Sequence, residues 1–237
     1  PERRYLLALV ALVMLLHSAG WIGVNADGER HLARMKMLDS PSYLAPTTQM
    51  VYDEALANFF FDHQRYAEAR TYYEQFMAID SFNTRIVGNI AEVYQKLGER
   101  ENYFRMLTWA VSRGTKDAGI YSNLGVEYVG RDDTMKAIEY NEKAIALNPT
   151  LQKAHANLGI LYSSRNDFPR AEKCFQTAID LGMRDPILFR YAGNVSVFNH
   201  KYEQAVRYYD IYLASSPNDA RVRGVREKLV KALGEKR

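Results

Sequence analysis

Five histidines, one cysteine and scattered carboxylates are the residues of this chain able to ligate a metal or move a proton. Two ligands on one helix must lie on one side of it, at i, i+3 or i+4. His17, His31, His63, His155 and His200 nowhere meet that spacing. A lone cysteine, Cys174, excludes an intrachain disulfide and a cysteine-cluster metal site, and its place inside an apolar run reads as a small buried hydrophobe. No HExxH, GxSxG, phosphate loop or dinucleotide fingerprint occurs. Asp132 and Asp133 fall at a predicted turn between helices, where carboxylates cap helices more often than they catalyse. Asn194-Val195-Ser196 is a glycosylation sequon placed within a predicted helix, which reads as chance. These residues predict no catalytic site, no metal and no cofactor.

The elements that must position such side chains point elsewhere. The 237 residues are 47% hydrophobic and 25% charged, ordinary for a folded protein, and a formal net charge of +3 with no basic stretch interleaved with aromatics excludes a nucleic-acid partner. Residues 1–26 are organised around Tyr5–Val24, a run without charge between Arg4 and Asp27. About twenty helical residues at about 1.5 Å each match a hydrocarbon core of about 30 Å. The run is therefore expected to be a membrane anchor or a helix buried among subunits; as a cleaved signal peptide it would end at Val24-Asn25-Ala26. A chain beginning at Pro1 suggests processing, truncation or a fragment of a longer polypeptide. Residues 27–49 read as an amphipathic linker ending in the proline- and hydroxyl-rich SPSYLAPTT.

From Ala118 to Leu151 the pattern is Tyr121, Leu124, Gly125, Tyr128, Ala137, Ala144 and Pro149 at positions 4, 7, 8, 11, 20, 27 and 32. It resembles the tetratricopeptide repeat, a helix–turn–helix unit of about 34 residues. Asn141 stands at position 24, where a large aromatic is usual, which predicts one weakened packing contact. Steps of 34 in both directions place comparable residues in register, giving repeats 50–83, 84–117, 118–151, 152–185 and 186–219. Tyr103 occupies position 20 of the second repeat and is expected to push its two helices apart. Residues 220–237 carry Val222, Val225, Leu229 and Leu233 at helical spacing and read as a polar-backed capping helix. The fold expected is an all-α solenoid of five repeats and a cap, preceded by a hydrophobic helix.

The resemblance implies an inner groove walled by the first helix of each repeat, at positions 2, 5, 9 and 12. In this chain those places hold Glu54, Asn58, Arg85, Glu92, Ser122, Lys153, Arg190 and Asn194. Asn89, Asn123 and Asn157 recur at position 6, where the family's asparagine hydrogen-bonds a bound peptide backbone or serves the framework. The family's clamp for a C-terminal carboxylate is not reproduced, since Glu54 stands where a lysine is needed. The implied partner is a protein or peptide, or copies of the chain itself, with Tyr5–Val24 engaging a membrane or a subunit core. Three functional readings follow. One is a non-catalytic scaffold displayed from a membrane, its array on the extracytoplasmic side. Another is a self-assembling subunit with the greasy helix in the assembly core. The third is the C-terminal part of a multispanning membrane glycosyltransferase, to which HSAGWIGVNADGER is similar, with catalysis outside this chain.

Overall fold

The computed structural model describes residues 46–80 and 86–235. Tyr5–Val24, most of the 27–49 linker and Arg85 lie outside the described residues. Among those described there are eleven α-helices and no strand, and no helix is long and apolar enough to cross a membrane. The chain divides into two compact units, 1–83 and 84–237.

The first unit contains one helix pair, α1 (Pro46–Asp62) and α2 (Tyr66–Ile79). Leu56, Ala57 and Phe60 of α1 and Ala69, Tyr73 and Phe76 of α2 are buried. The small residues let the backbones approach while the rings fill the seam, and the Tyr73 hydroxyl donates to Asn58 Oδ1.

The second unit continues as α3 (Val87–Lys96), α4 (Arg100–Ser112), α5 (Ala118–Val129), α6 (Thr134–Leu147), α7 (Gln152–Ser164), α8 (Phe168–Asp180), α9 (Pro186–Phe198), α10 (Tyr202–Ser215) and α11 (Ala220–Gly234). Consecutive helices pack as pairs, and the second helix of each pair also packs on the first helix of the next. α11 closes the last pair by setting Val222 against Phe189, Ala205, Tyr209 and Tyr212. One apolar core runs through pairs three to five, from Ala137 through Leu158, Phe175 and Ala178 to Val195.

Turn chemistry repeats with the same period. Gln64, Gly98, Asp132, Asn166 and His200, each 34 residues from the last, all have φ between 58° and 72°. Each is followed by a residue whose N–H bonds the carbonyl five residues back: Arg65 to Phe60, Glu99 to Tyr94, Asp133 to Tyr128, Asp167 to Tyr162 and Lys201 to Ser196. This left-handed closure satisfies carbonyls that the helix end leaves open. Asp133 and Asp167 then cap the next helices through Lys136 N and Arg170 N, while Asp117, Asp185 and Asp219 cap α5, α9 and α11. Asp132 and Asp133 are thus turn and cap residues.

Two positions depart from the repeat. Tyr103 is buried in the α3–α4 pair where the other pairs have Ala69, Ala137, Ala171 and Ala205, and burial pushes its hydroxyl up to about 12. Asn141 does more than weaken a contact: it is fully buried and hydrogen-bonded on several sides. A polar clasp joins pairs two and three, with Glu127, 8% exposed, accepting from Arg100 at 3.1 Å and Arg131 at 2.7 Å. Arg131 also reaches Glu101 at 2.7 Å and lies over the Phe104 ring.

Candidate functional site

Within the second unit, first helices of successive pairs touch one another, α5 with α7 and α7 with α9, whereas second helices make no comparable contact. The first helices therefore crowd on the inner side of the stack, and the face they share is where side chains converge.

At the start of α5 and α7 this face opens into a cleft of about 340 Å³. The first half of α5 supplies Gly119, Ser122 and Asn123, the connection supplies Asn148, Thr150 and Leu151, and α7 begins with Gln152 and Lys153. Asn148 Oδ1 accepts from both the backbone N–H and the hydroxyl of Thr150, which holds the connection against the cleft. Gln152 donates its amide to the Leu181 carbonyl at the end of α8, so one end of the lining is pinned within its own pair.

A hydrogen-bonded core lies behind the cleft. Ser122, 3% exposed, donates to Asn141 Oδ1 at 3.1 Å. Asn141 Nδ2 donates to the Ala137 carbonyl at 2.8 Å, and Asn157 Nδ2 lies 3.2 Å from both Ser122 Oγ and Asn141 Oδ1. Since Asn157 belongs to the next pair, these bonds span the joint between two repeats. A β-carbon on Gly125 would collide with Asn141 Nδ2, so the glycine makes room for the asparagine.

The structure thus brings Ser122, Asn123 and Lys153 to one cleft and places Asn157 behind it. Asn123 and Lys153 are exposed, while Asn157 turns its amide nitrogen inward. Asn89 and Glu92 are exposed on α3. Arg190 and Asn194 lie one turn apart on α9, with Asn194 Oδ1 accepting from the Tyr209 hydroxyl at 2.9 Å. Glu54 and Asn58 belong to α1 in the first unit, and Asn58 is held from behind by Tyr73 in the same way.

Polar candidates alone miss part of this face. Val126 (48% exposed), Val129 (49%) and Ile160 (36%) occupy positions 9, 12 and 9 of the third and fourth repeats. The signal is present in the sequence: position 9 is asparagine in the first and fifth repeats and aliphatic in these two. An exposed aliphatic cluster beside a polar cleft suits a segment with an apolar side chain and backbone amides to satisfy.

Nucleophilic chemistry has little support here. Burial pushes the Cys174 thiol up to about 11, leaving almost no thiolate at neutral pH. Among the described residues no group of three or more His, Cys, Asp or Glu side chains is placed to hold a metal ion.

Comparison with known proteins agrees with this architecture. Residues 118–151 and 154–187 each match a model of the tetratricopeptide repeat. The second match begins two residues later than the repeat start read from the sequence, 152. Among solved structures the chain is similar to YrrB, described as a TPR protein with an unusual peptide-binding site, at 15% identity over 83% of this chain and 97% of that one, with a TM-score of 0.63. It is similar to pilF of Pseudomonas aeruginosa at 16% identity, covering 81% and 87%, with a TM-score of 0.66. PilW, a widely conserved type IV pilus biogenesis factor, aligns at 24% identity over 78% and 86%, with a TM-score of 0.61. At such identities these likenesses speak to the fold.

Proposed function

The chain is a tetratricopeptide-repeat protein, and from that premise we propose that it is a non-catalytic scaffold that captures a segment of a partner protein on the first-helix face of pairs three to five. The observation that carries this reading is the pairing of the polar cleft at Ser122, Asn123 and Lys153 with exposed Val126, Val129 and Ile160 on the same helices. Asn123 and Lys153 offer donors to a peptide backbone or acidic group, and the aliphatic side chains offer a seat for an apolar residue. Asn89 and Glu92 extend the face toward the second repeat. In the first unit, Glu54 and Asn58 are the corresponding partner-binding residues, as is Arg85 at position 2 of the second repeat. The uncharged run Tyr5–Val24 supports display of this array from a membrane, with the repeats on the extracytoplasmic side.

A photo-crosslinking residue in place of Val126 tests the docking face, with the same residue in place of exposed Lys228 as reference. Adducts on one discrete partner are expected from position 126 and should fall at least about tenfold when Ile160→Asp is added. Equal labelling from the two positions would overturn the reading. The masses of the adducts separate a foreign partner from a second copy of this chain, and partition into the membrane fraction after alkaline washing tests the anchor.

A further inference from the structure

Charge is unevenly placed along this chain. Residues 220–237 hold seven Lys or Arg and two Glu, a formal charge of +5, while the whole chain carries +3, so the other 219 residues sum to −2. Most of the 220–237 stretch is the cap helix α11.

One side of α11 is committed to the fold. Val222 packs on Tyr209 and Tyr212 with Leu229 beside it, and Arg226 pairs with Asp210 of α10 at 2.8 Å. A different side holds Arg221, Val225, Lys228, Lys231 and Ala232, all exposed, at i, i+4, i+7, i+10 and i+11. Among the described residues Arg221 and Lys228 enter no ion pair, and Lys231 lies 3.8 Å from Glu235, a long contact between two exposed side chains. Arg223, on the other flank, donates to the neutral Pro217 carbonyl. The cations of α11 are therefore mostly not neutralised within the chain.

Their spacing says what kind of anion they suit. Ten residues of helix place Arg221 and Lys231 about 15 Å apart along the axis. A single acidic side chain reaches one of these groups at a time, whereas a plane of phosphates meets all three together. Val225 and Ala232 lie between them as short apolar side chains, the pattern of a helix resting at a headgroup boundary. α11 has no aromatic residue, so it offers no ring on which a nucleic-acid base could stack.

We propose that the exposed side of α11 lies against an anionic phospholipid surface, with Arg221, Lys228 and Lys231 facing the lipid phosphates. The inference rests on the display of the array from a membrane and adds a second, electrostatic contact at the opposite end of the sequence. The cap helix then has two sides with two tasks: Val222 and Leu229 close the last repeat, and the cations hold that end of the stack to the bilayer.

The test uses the full chain with a solvatochromic dye on Ala232→Cys, in a Cys174→Ser background, and the same dye on exposed Lys116→Cys as reference. A local dye reports α11 whatever Tyr5–Val24 does. Titration with vesicles of equal phosphatidylglycerol and phosphatidylcholine should shift the emission at position 232 to the blue and leave position 116 unchanged. Phosphatidylcholine vesicles alone should give no shift, and high salt should reverse the first one. At about 1 kcal/mol for each cation near such a surface, replacing Arg221, Lys228 and Lys231 together by Gln should weaken the apparent lipid affinity about a hundredfold. Glu235→Gln, which removes a carboxylate from the same side, should strengthen it about fivefold, a gain that misfolding cannot produce.

Equal shifts on both kinds of vesicle, no shift on either, or an unchanged affinity in the triple variant overturns the inference. Equal affinity for soluble heparin or poly-glutamate at matched charge overturns it too, in favour of a polyanion or an acidic protein. Retention of the chain in the membrane fraction after alkaline washing, with no shift at position 232, removes this contact and leaves the membrane display standing. Loss of the chain in that wash removes the display, and the vesicle titration then decides the contact by itself.

Discussion

In the fourth helix pair the ring of Phe175 lies against Gly159, where a β-carbon would stand 2.5 Å from the ring edge. In the third pair the same two positions hold Asn141 and Gly125, and the interior is bonded to Ser122 and Asn157 instead of filled by a ring. Backbone and turn are alike in the two pairs, so the repeat needs a filled position 24 and a small position 8 but not one chemistry. What changes is how far the interaction reaches. Phe175 supplies buried area to the shared apolar core, without direction. Asn141 supplies directional bonds, one set of which crosses into the next pair and lines up the cleft.

The comparison breaks most visibly at Phe175. Phe175→Ala should cost about 3–5 kcal/mol, the range for emptying a buried aromatic site, read as a fall in the urea midpoint. Asn141→Ala should cost about 1–3 kcal/mol, because it leaves the buried Ser122 hydroxyl without its acceptor. A larger loss at Asn141 than at Phe175 would reverse the account of the two interiors.

A sharper version converts one interior into the other. Asn141→Phe alone gains ring area but strands Ser122; adding Ser122→Ala, which matches Ala156 at position 5 of the fourth repeat, should recover about 1 kcal/mol relative to the single variant. Denaturant unfolding of the pair of variants decides it, and simple additivity with Ser122→Ala in the parent background counts against the coupling.

The smallest effect concerns acid. Backbone N–H donation from Lys136 and Arg170 holds the Asp133 and Asp167 carboxyls below their ordinary range, and donation from Val222 does the same for Asp219. A folded value below the unfolded one means the stabilisation is present above the unfolded carboxylate range, near pH 4, and lost as pH falls through the folded values. Helicity should hold from neutral pH to about 4 and decline below it. Because neither Asn141 nor Phe175 titrates, the stability gap between their alanine variants should stay constant across that range; a gap that widens with acid would tie the polar interior to the caps.

Much of the fold was legible because the repeat depends on residue size at fixed spacing: Ala137, Ala171 and Ala205 against Tyr128, Phe175 and Tyr209 can be read by counting. The left-handed residue at the turn was only partly visible, since Gly98, Asp132, Asn166 and His200 are of types enriched in that conformation while Gln64 is not. The site was read less completely. Ser122, Asn123 and Lys153 meet at one cleft, and the family register points to them. The bonds among Ser122, Asn141 and Asn157 join sequence separations of 19, 16 and 35 residues, which no local pattern links. Val126, Val129 and Ile160 escaped a reading that looked for polar groove residues, although aliphatic side chains at exposed helix positions carry information of their own.

The third pair is joined on both sides by oriented bonds: the Glu127 clasp toward the second pair and the Asn157 amide toward the fourth. In a linear array, stability is a sum of unit terms and nearest-neighbour terms. Opening the middle breaks two such couplings at once, whereas opening an end breaks one. Cooperativity is therefore concentrated at the centre: the array frays inward from its termini, and the cleft at α5 and α7 is among the last surfaces to lose its shape.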